Sequence, residues 1–252
     1  MKSKIKPLFL DNSFGNVVFS WIGVFGNLAF ALWGSSWLIM RYDGSALTWY
    51  QLVAIVVVGL FLLDWFSGLV HWTYDTWFDE RIPGFQRSVS IAREHHVLPY
   101  HIVGYGLRDQ MSYSSWPAFV FVAPIGAAMS IWAPQTQATY MVVSVCTLVC
   151  SGMLFGSHCH LLGHEPAKSR LIRLLQRSHF LISPAYHRLH HDRNHDTRYA
   201  VVNGWSNAIC DRIGFWRGLE RLIQALTAAQ PRRSDKEWMS RFVRHKQATE
   251  RS

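Results

Sequence analysis

The stretch "LTWYQLVAIVVVGLFLLDWFSGLVHWTYD", Leu47 to Asp75, decides how the chain folds. From Leu47 to Leu63 it carries no charge. With a helical continuation through "DWFSGLVHW" it is long enough, at about 1.5 Å per residue, to cross a hydrocarbon core of about 30 Å. It then ends on His71 and Asp75, four residues apart, a spacing that puts both side chains on one helical face. An apolar run that delivers an imidazole and a carboxylate to its own end sets the pattern to seek elsewhere.

Three more apolar runs follow that lead. Phe14 to Met40 is nearly charge-free. It follows Lys2, Lys4 and Lys6 but is too long for a signal-peptide core, so it is expected to be an uncleaved anchor. Trp116 to Trp132 has Pro117 near its start, where proline is tolerated, and Pro124 inside, where a kink is expected. Ala138 to Phe155 runs on into "GSHCHLLGH", again ending in histidine. The expected organisation is a cytosolic N-terminus (1–13), a first transmembrane hairpin (14–63) and a cytosolic histidine-containing loop (64–115). A second hairpin (116–157), a histidine-rich cytosolic cap (158–230) and a charged, frayed tail (231–252) complete it. The fold class is therefore all-α and integral to a membrane, with four spans and a helical cap.

Charge sets the orientation. The loop after the first run has one Arg and one Asp, and "APQTQA" between the last two runs has no charge. Residues 64–115 and those after 157 carry 21 of the 25 Lys and Arg. Basic residues stay on the cytoplasmic side, so both termini and the middle loop are expected there. All 13 histidines then share one compartment, which is the cytosolic face of the cytoplasmic membrane in a bacterium or of the endoplasmic reticulum in a eukaryote. The formal charge of +9 on 252 residues follows this flanking pattern and does not mark a nucleic-acid-binding face. Trp49, Trp65, Trp116 and Trp132 at the run ends read as an interfacial belt. Cys146, Cys150, Cys159 and Cys210 form no C-x-x-C pair and read as small buried hydrophobes. "KSRLIRLLQRSHFLI" and "GLERLIQALTAAQ" are amphipathic at helical spacing, fit either to pack on the body or to lie against headgroups.

Of the 13 histidines, 12 fall between His71 and His195, and all of these but His179 lie in four clusters: "HWTYD", "REHHVLPYH", "HCHLLGH" and "SPAYHRLHHDRNH". A catalytic zinc needs three protein ligands and a structural zinc four, far fewer than this. Two metal ions would use them, and imidazole suits iron, zinc, copper and nickel alike. Soluble ferritin-type di-iron proteins use Glu-x-x-His pairs, and none occurs in this chain. Asp75 and Glu94 read as hydrogen-bond acceptors that orient imidazole N–H groups. His101, His158 and His245 read as ordinary hydrogen-bonded histidines.

The segments "DWFSGLVHWTYDTW", "REHHVLP", "HLLGH", "SHFLISPAYHRLHH" and "NGWSN…GFWRGLERLIQALT", spread in order over about residues 60–230, resemble the Kua family of lipid desaturases. That family includes plasmanylethanolamine desaturase, bacterial light-response proteins with the same activity and a plastid acyl-lipid desaturase. The resemblance implies a multi-pass membrane enzyme with two histidine-bound iron ions. Such an enzyme uses O2 and two electrons from a small carrier such as cytochrome b5 or a ferredoxin. In the plasmalogen branch it turns a 1-O-alkyl phospholipid into the 1-O-alk-1′-enyl form. The family's histidines carry over at His71, His95, His96, His160, His164, His179, His187, His190, His191 and His195. "DRNH" departs from the family pattern, which often has proline before the last histidine. Two rival readings stand beside this one: a lipid hydroxylase on the same metals, and a non-enzymatic membrane metal sensor or scaffold.

Overall fold

The structure, a computed structural model, describes residues 14–41, 47–79, 81–192, 195–232 and 235–240. The expectations for residues 1–13, for Arg193 and Asn194 in "DRNH", and for the tail beyond residue 240 with His245 lie outside these.

The apolar runs form long helices. Helices α1 (Phe14–Arg41) and α2 (Trp49–Thr76) have 28 residues each, about 42 Å at the helical rise. Helix α2 starts cleanly because the Thr48 N–H donates to the Gln51 side chain at 2.8 Å, serving a donor that the helix leaves unpaired. It then continues unbroken past Leu63 to Thr76, so His71 and Asp75 ride on the apolar helix itself and not on a separate loop. Helix α4 (Leu107–Pro117), a π turn (Ala118–Val122) and α5 (Ala123–Trp132) make one further run. The π turn lies just ahead of Pro124, which has no N–H to give, and the run passes through it without a break. Helix α6 (Gln137–Met153) bends by 50° into α7 (Gly156–Leu162). Among the described residues, three helices are long and apolar enough to cross a membrane, or four if α6 and α7 count as one span. The protein is an all-helical membrane protein, and no strand occurs among the described residues.

Helix α6 packs against α1, α2 and α5 and holds the bundle together. Small residues let the backbones approach, as they do between helices in lipid. A Cβ on Gly34 of α1 would sit 2.3 Å from Thr147 Oγ1 of α6, so a larger residue there would push the two helices apart. Buried Asn27 donates from Nδ2 to the Cys150 carbonyl at 2.9 Å, a polar pin in an apolar setting. Trp49 and Trp132 are exposed, as an aromatic belt requires. Trp116 and Trp65 are turned inward, the first donating to the Phe19 carbonyl at 3.0 Å and the second packing on Phe215.

The remaining helices form the cap: α3 (Gln86–Val97), α8 (Arg170–Arg177), α9 (Pro184–Asp192), α10 (Trp205–Arg212) and α11 (Phe215–Thr227). A 3-10 turn (Pro99–Gly104) links α3 to α4, and the buried Arg87–Asp109 fork at 2.7 and 2.8 Å clamps the two helices. Leu171 and Leu174 of α8 remain exposed, whereas Leu219 and Ile223 of α11 pack beside Trp72 and Trp216. The described part of the tail corrects the expectation of a frayed end. Residues 235–240 are helical, the Arg232 N–H donates to the Thr76 carbonyl at 2.7 Å, and Arg93 bonds Asp235 at 3.0 Å. These contacts tie the segment to the ends of α2 and α3.

Candidate metal centre

Four helix ends bring imidazoles into one buried volume. Helix α2 supplies His71, α3 supplies His95 and His96, α7 supplies His160 with His164 just beyond it, and α9 supplies His187, His190 and His191. The ring centroids of His71 and His160 are 4.8 Å apart, those of His95 and His96 4.5 Å, and those of His164 and His187 4.5 Å. His195 stacks on His96 at 4.0 Å.

The donors divide into two sets, His71–Asp75–His96–His190 and His95–His160–His164–His191, and in each the donor atoms lie within 4.8 Å of one another. In the first set, the Nε2 atoms of His71, His96 and His190 stand 3.1, 3.3 and 3.7 Å from Asp75 Oδ2. Their Nδ1 atoms are committed elsewhere: to the Tyr199 carbonyl at 2.8 Å, Asp235 Oδ2 at 2.7 Å and the Thr197 carbonyl at 2.7 Å. A carbonyl only accepts, so Nδ1 of His71 and His190 carries the hydrogen, and in the neutral ring Nε2 is a bare lone pair. These Nε2 atoms and both Asp75 oxygens are buried without a hydrogen bond. Two bare lone pairs, those of His71 and His190, facing one buried carboxylate oxygen are costly unless a cation sits among them, whether a metal ion or a protonated His96.

The second set is equally frustrated without an ion. Nε2 of His160 lies 2.9 Å from that of His187 and 3.2 Å from that of His164, and the His164 and His187 Nε2 atoms are 2.9 Å apart. Three mutually close nitrogens cannot alternate donor and acceptor around a triangle, so no placement of protons satisfies all three contacts. His191 Nε2 adds a fourth, 3.2 Å from that of His187, and both ring nitrogens of His95 are buried without a partner. Convergence of lone pairs is what a metal site requires, and the residues fit one.

Protonation states agree. Burial, then the neighbouring rings, holds His95, His187, His190 and His191 below the ordinary imidazole value, His164 down to about 3 and His195 to about 4. These rings are neutral at pH 7, as ligands must be. Without a metal ion His96 goes the other way: burial opposes its charge, but Asp75 and Asp235 outweigh burial and push it up to about 9, so an ion bound at this set would take the place of that proton. A group lowered from 6.5 stabilises the fold fully above that value, and its contribution is lost as pH falls toward its folded value. The contribution of His96 is present below 6.5 and fades as pH rises toward 9. The lowered rings outnumber it, so moving from about pH 7 to about pH 5 should lower the thermal midpoint and release bound metal together. Melting curves and metal analysis after dialysis at each pH check this, and a flat midpoint would contradict the buried neutral rings.

Three expectations change. His179 is not brought into the cluster: it follows α8 in the left-handed region (φ 58°), its side chain is exposed, and its carbonyl accepts from the Trp205 indole. Asp75, expected to orient an imidazole N–H, also presents Oδ2 to three Nε2 atoms and so stands within the donor set itself. Glu94 pairs with His101 Nδ1 at 2.6 Å and with the Tyr105 hydroxyl, and it stands outside both donor sets. The groups that orient the first set are the carbonyls of Tyr199 and Thr197 and the carboxylate of Asp235. Backbone carbonyls leave no sequence signal, and Asp235 lies in a stretch whose composition resembles any charged tail.

The chain matches the lipid desaturase domain family over residues 60–234. It is 29% identical to plasmanylethanolamine desaturase 1 of Mus musculus over 81% of this chain and 75% of that protein. It is 28% identical to plasmanylethanolamine desaturase of Myxococcus xanthus, over 82% of this chain and 70% of that protein. Fatty acid desaturase 4-like 2 of Arabidopsis thaliana is 25% identical over 69% of this chain and 60% of its own length. No solved structure matches significantly. The buried histidine sets thus sit inside a matched region that covers most of the chain, which belongs to the lipid desaturase family and is an oxidoreductase of the desaturase type.

Proposed function

We propose that the protein is a membrane di-iron lipid desaturase that converts 1-O-alkyl (plasmanyl) ethanolamine phospholipid to its 1-O-alk-1′-enyl (vinyl ether) form. The observation that carries the proposal is the pair of adjoining donor sets, almost wholly of nitrogen, at the ends of apolar helices. Relatives named plasmanylethanolamine desaturase support the choice of substrate. In the reaction two hydrogens leave adjacent carbons; O2 takes them up with two external electrons and two protons, and two waters form. Two irons bound at these sets would supply the oxidising power for breaking a lipid C–H bond.

The chain's own residues supply position. His71, Asp75, His96 and His190 would hold one iron. His95, His160, His164 and His191, with His187 among them, would hold the other. His195 covers the first set by stacking on His96. Two hairpins with the histidines on the cytosolic side satisfy the basic-residue counts. A small cytochrome b5 or ferredoxin-type carrier would deliver electrons from that side, and the lipid would arrive from the bilayer.

Expression in a host that makes 1-O-alkyl lipids but no vinyl ethers provides the test. Lipid mass spectrometry should reveal a product two hydrogens lighter and labile to acid. Relatives named fatty acid desaturases favour a second reading, an acyl-lipid desaturase on the same site. That reading would give an equally lighter but acid-stable product. A product heavier by one oxygen would indicate hydroxylation and refute both.

A further inference from the structure

An apolar groove of about 620 Å³ runs along the outside of α2, walled by Leu62, Leu69 and Tyr74 of α2, Ile125 of α5, and Val145 and Val149 of α6. From Leu62 to Tyr74 the helical rise covers about 18 Å, a large part of one hydrocarbon leaflet-to-leaflet core of about 30 Å. At one end the groove is parted from the histidine cluster by a pair of stacked rings. Tyr74, which lines it, stacks on Tyr113 with ring centroids 4.2 Å apart. Tyr113 in turn lines a small cavity, about 20 Å³, that touches His95 and His160 and has room for one water-sized molecule. The Tyr113 hydroxyl is buried and makes no hydrogen bond. The stacked pair is therefore the shared wall between an apolar groove and the donor cluster. His71 and Asp75, each one residue from a groove-lining residue, are turned about 100° away on the same helix. A second apolar hollow, on α1 around Val17, Trp21 and Phe25, lacks histidine in its lining as the groove does, and it does not include the Tyr74 that stacks on Tyr113.

We propose that this groove holds the hydrocarbon chain of the lipid substrate, with the reacting carbons at the Tyr74–Tyr113 pair and the chain's end beside Leu62 and Val145. The proposal rests on the desaturase reading and specifies where its substrate lies. A chain joined to glycerol through an ether has its first two carbons at headgroup depth and its remainder in the apolar core, which matches a groove that approaches the histidine cluster at its Tyr74 end. Val145 also packs on the cluster that includes Ile55 and Leu47, toward the start of α2 and away from Tyr74, so it gauges chain length.

Two experiments test this. A 1-O-alkyl phosphatidylethanolamine carrying a diazirine at the chain terminus, photolysed with the full-length protein in bilayer nanodiscs, should label peptides containing Leu62 or Val145. Labelling confined to the α1 hollow would overturn the proposal. In a competition between long-chain and short-chain 1-O-alkyl lipids, Val145→Trp should cut the long-to-short product ratio at least tenfold relative to wild type. An unchanged ratio, with wild type forming product, would sink the groove and leave the desaturase reading standing. If wild type forms no desaturated product from any lipid, the desaturase reading itself fails, whatever the labelling. The labelling arm needs no turnover, so it decides the groove even if the tryptophan variant misfolds.

Discussion

Replacing His187 with alanine is expected to abolish desaturation and to reduce bound iron to less than two per chain, while the protein still inserts and accumulates. His187 Nε2 lies between 2.9 and 3.2 Å from the Nε2 atoms of His160, His164 and His191, closer to more of its neighbours than any ring outside that set. Its removal takes away one converging lone pair and leaves the others to rearrange. The fall in activity should exceed about 100-fold, more than the 10–100-fold typical of losing a partner that only orients a ligand. The apolar helices do not depend on it, so insertion should persist. Two controls sharpen the result. His179→Ala and His158→Ala alter exposed histidines, one near α8 and one bonded to Gln110, and should leave activity within about twofold of wild type. Iron analysis and product quantification on the same preparations measure both effects. Full activity in His187→Ala, or its loss in His179→Ala, would show that the cluster has been drawn around the wrong rings.

Much of this centre was legible from spacing alone. Helical periodicity puts His71 with Asp75, His160 with His164, and His187 with His190 and His191 on shared faces, and each pair sits where a helix emerges from an apolar run or enters the cap. What spacing could not do was tell ligand from partner. Asp75 is one turn from His71 whether its carboxylate faces an Nε2 or an N–H, and only the commitment of His71 Nδ1 to the Tyr199 carbonyl decides between them. Glu94 stands beside His95 in sequence, yet successive helical residues point about 100° apart, and its carboxylate turns to His101 and Tyr105. His179 carried over by family resemblance, but a left-handed residue at a helix end follows the local chain and not helical periodicity. Asp235 was hidden for a different reason: a single long-range contact to His96 leaves no trace in composition.

Removing the Asp64 carboxylate should unfasten the site from a distance. Asp64 lies within an apolar helix, fully buried, and its charge is answered entirely by the cap. Oδ1 accepts the N–H groups of Val202, Asn203 and Gly204 at 3.2, 2.9 and 2.9 Å, and Oδ2 accepts the Ser206 N–H at 2.9 Å and its hydroxyl at 2.7 Å. The same segment is stitched on along α2. Ser67 Oγ accepts the Val201 N–H, and His71 Nδ1 donates to the Tyr199 carbonyl. Asn207 brackets Ala200 with two bonds of 2.9 Å. Gly68 permits the approach, since a Cβ there would lie 3.0 Å from Ala200 N. Asp64, Ser67 and His71 are thus one polar stripe on an apolar helix, and the stripe ends at the face of the candidate metal centre. Asp64→Ala strands several buried donors at about 1–3 kcal/mol each, so a loss of order 4 kcal/mol is expected after partial relaxation. Asp64→Asn keeps one acceptor oxygen but turns an NH2 toward donors, and should cost about half as much. Because the Tyr199 carbonyl orients His71, the alanine variant should also lose iron from the His71–Asp75–His96–His190 set before it loses helix content. Thermal melts in detergent, with iron analysis along the ramp, separate the two events. A wild-type midpoint in both variants would mean that the cap does not hang from this carboxylate.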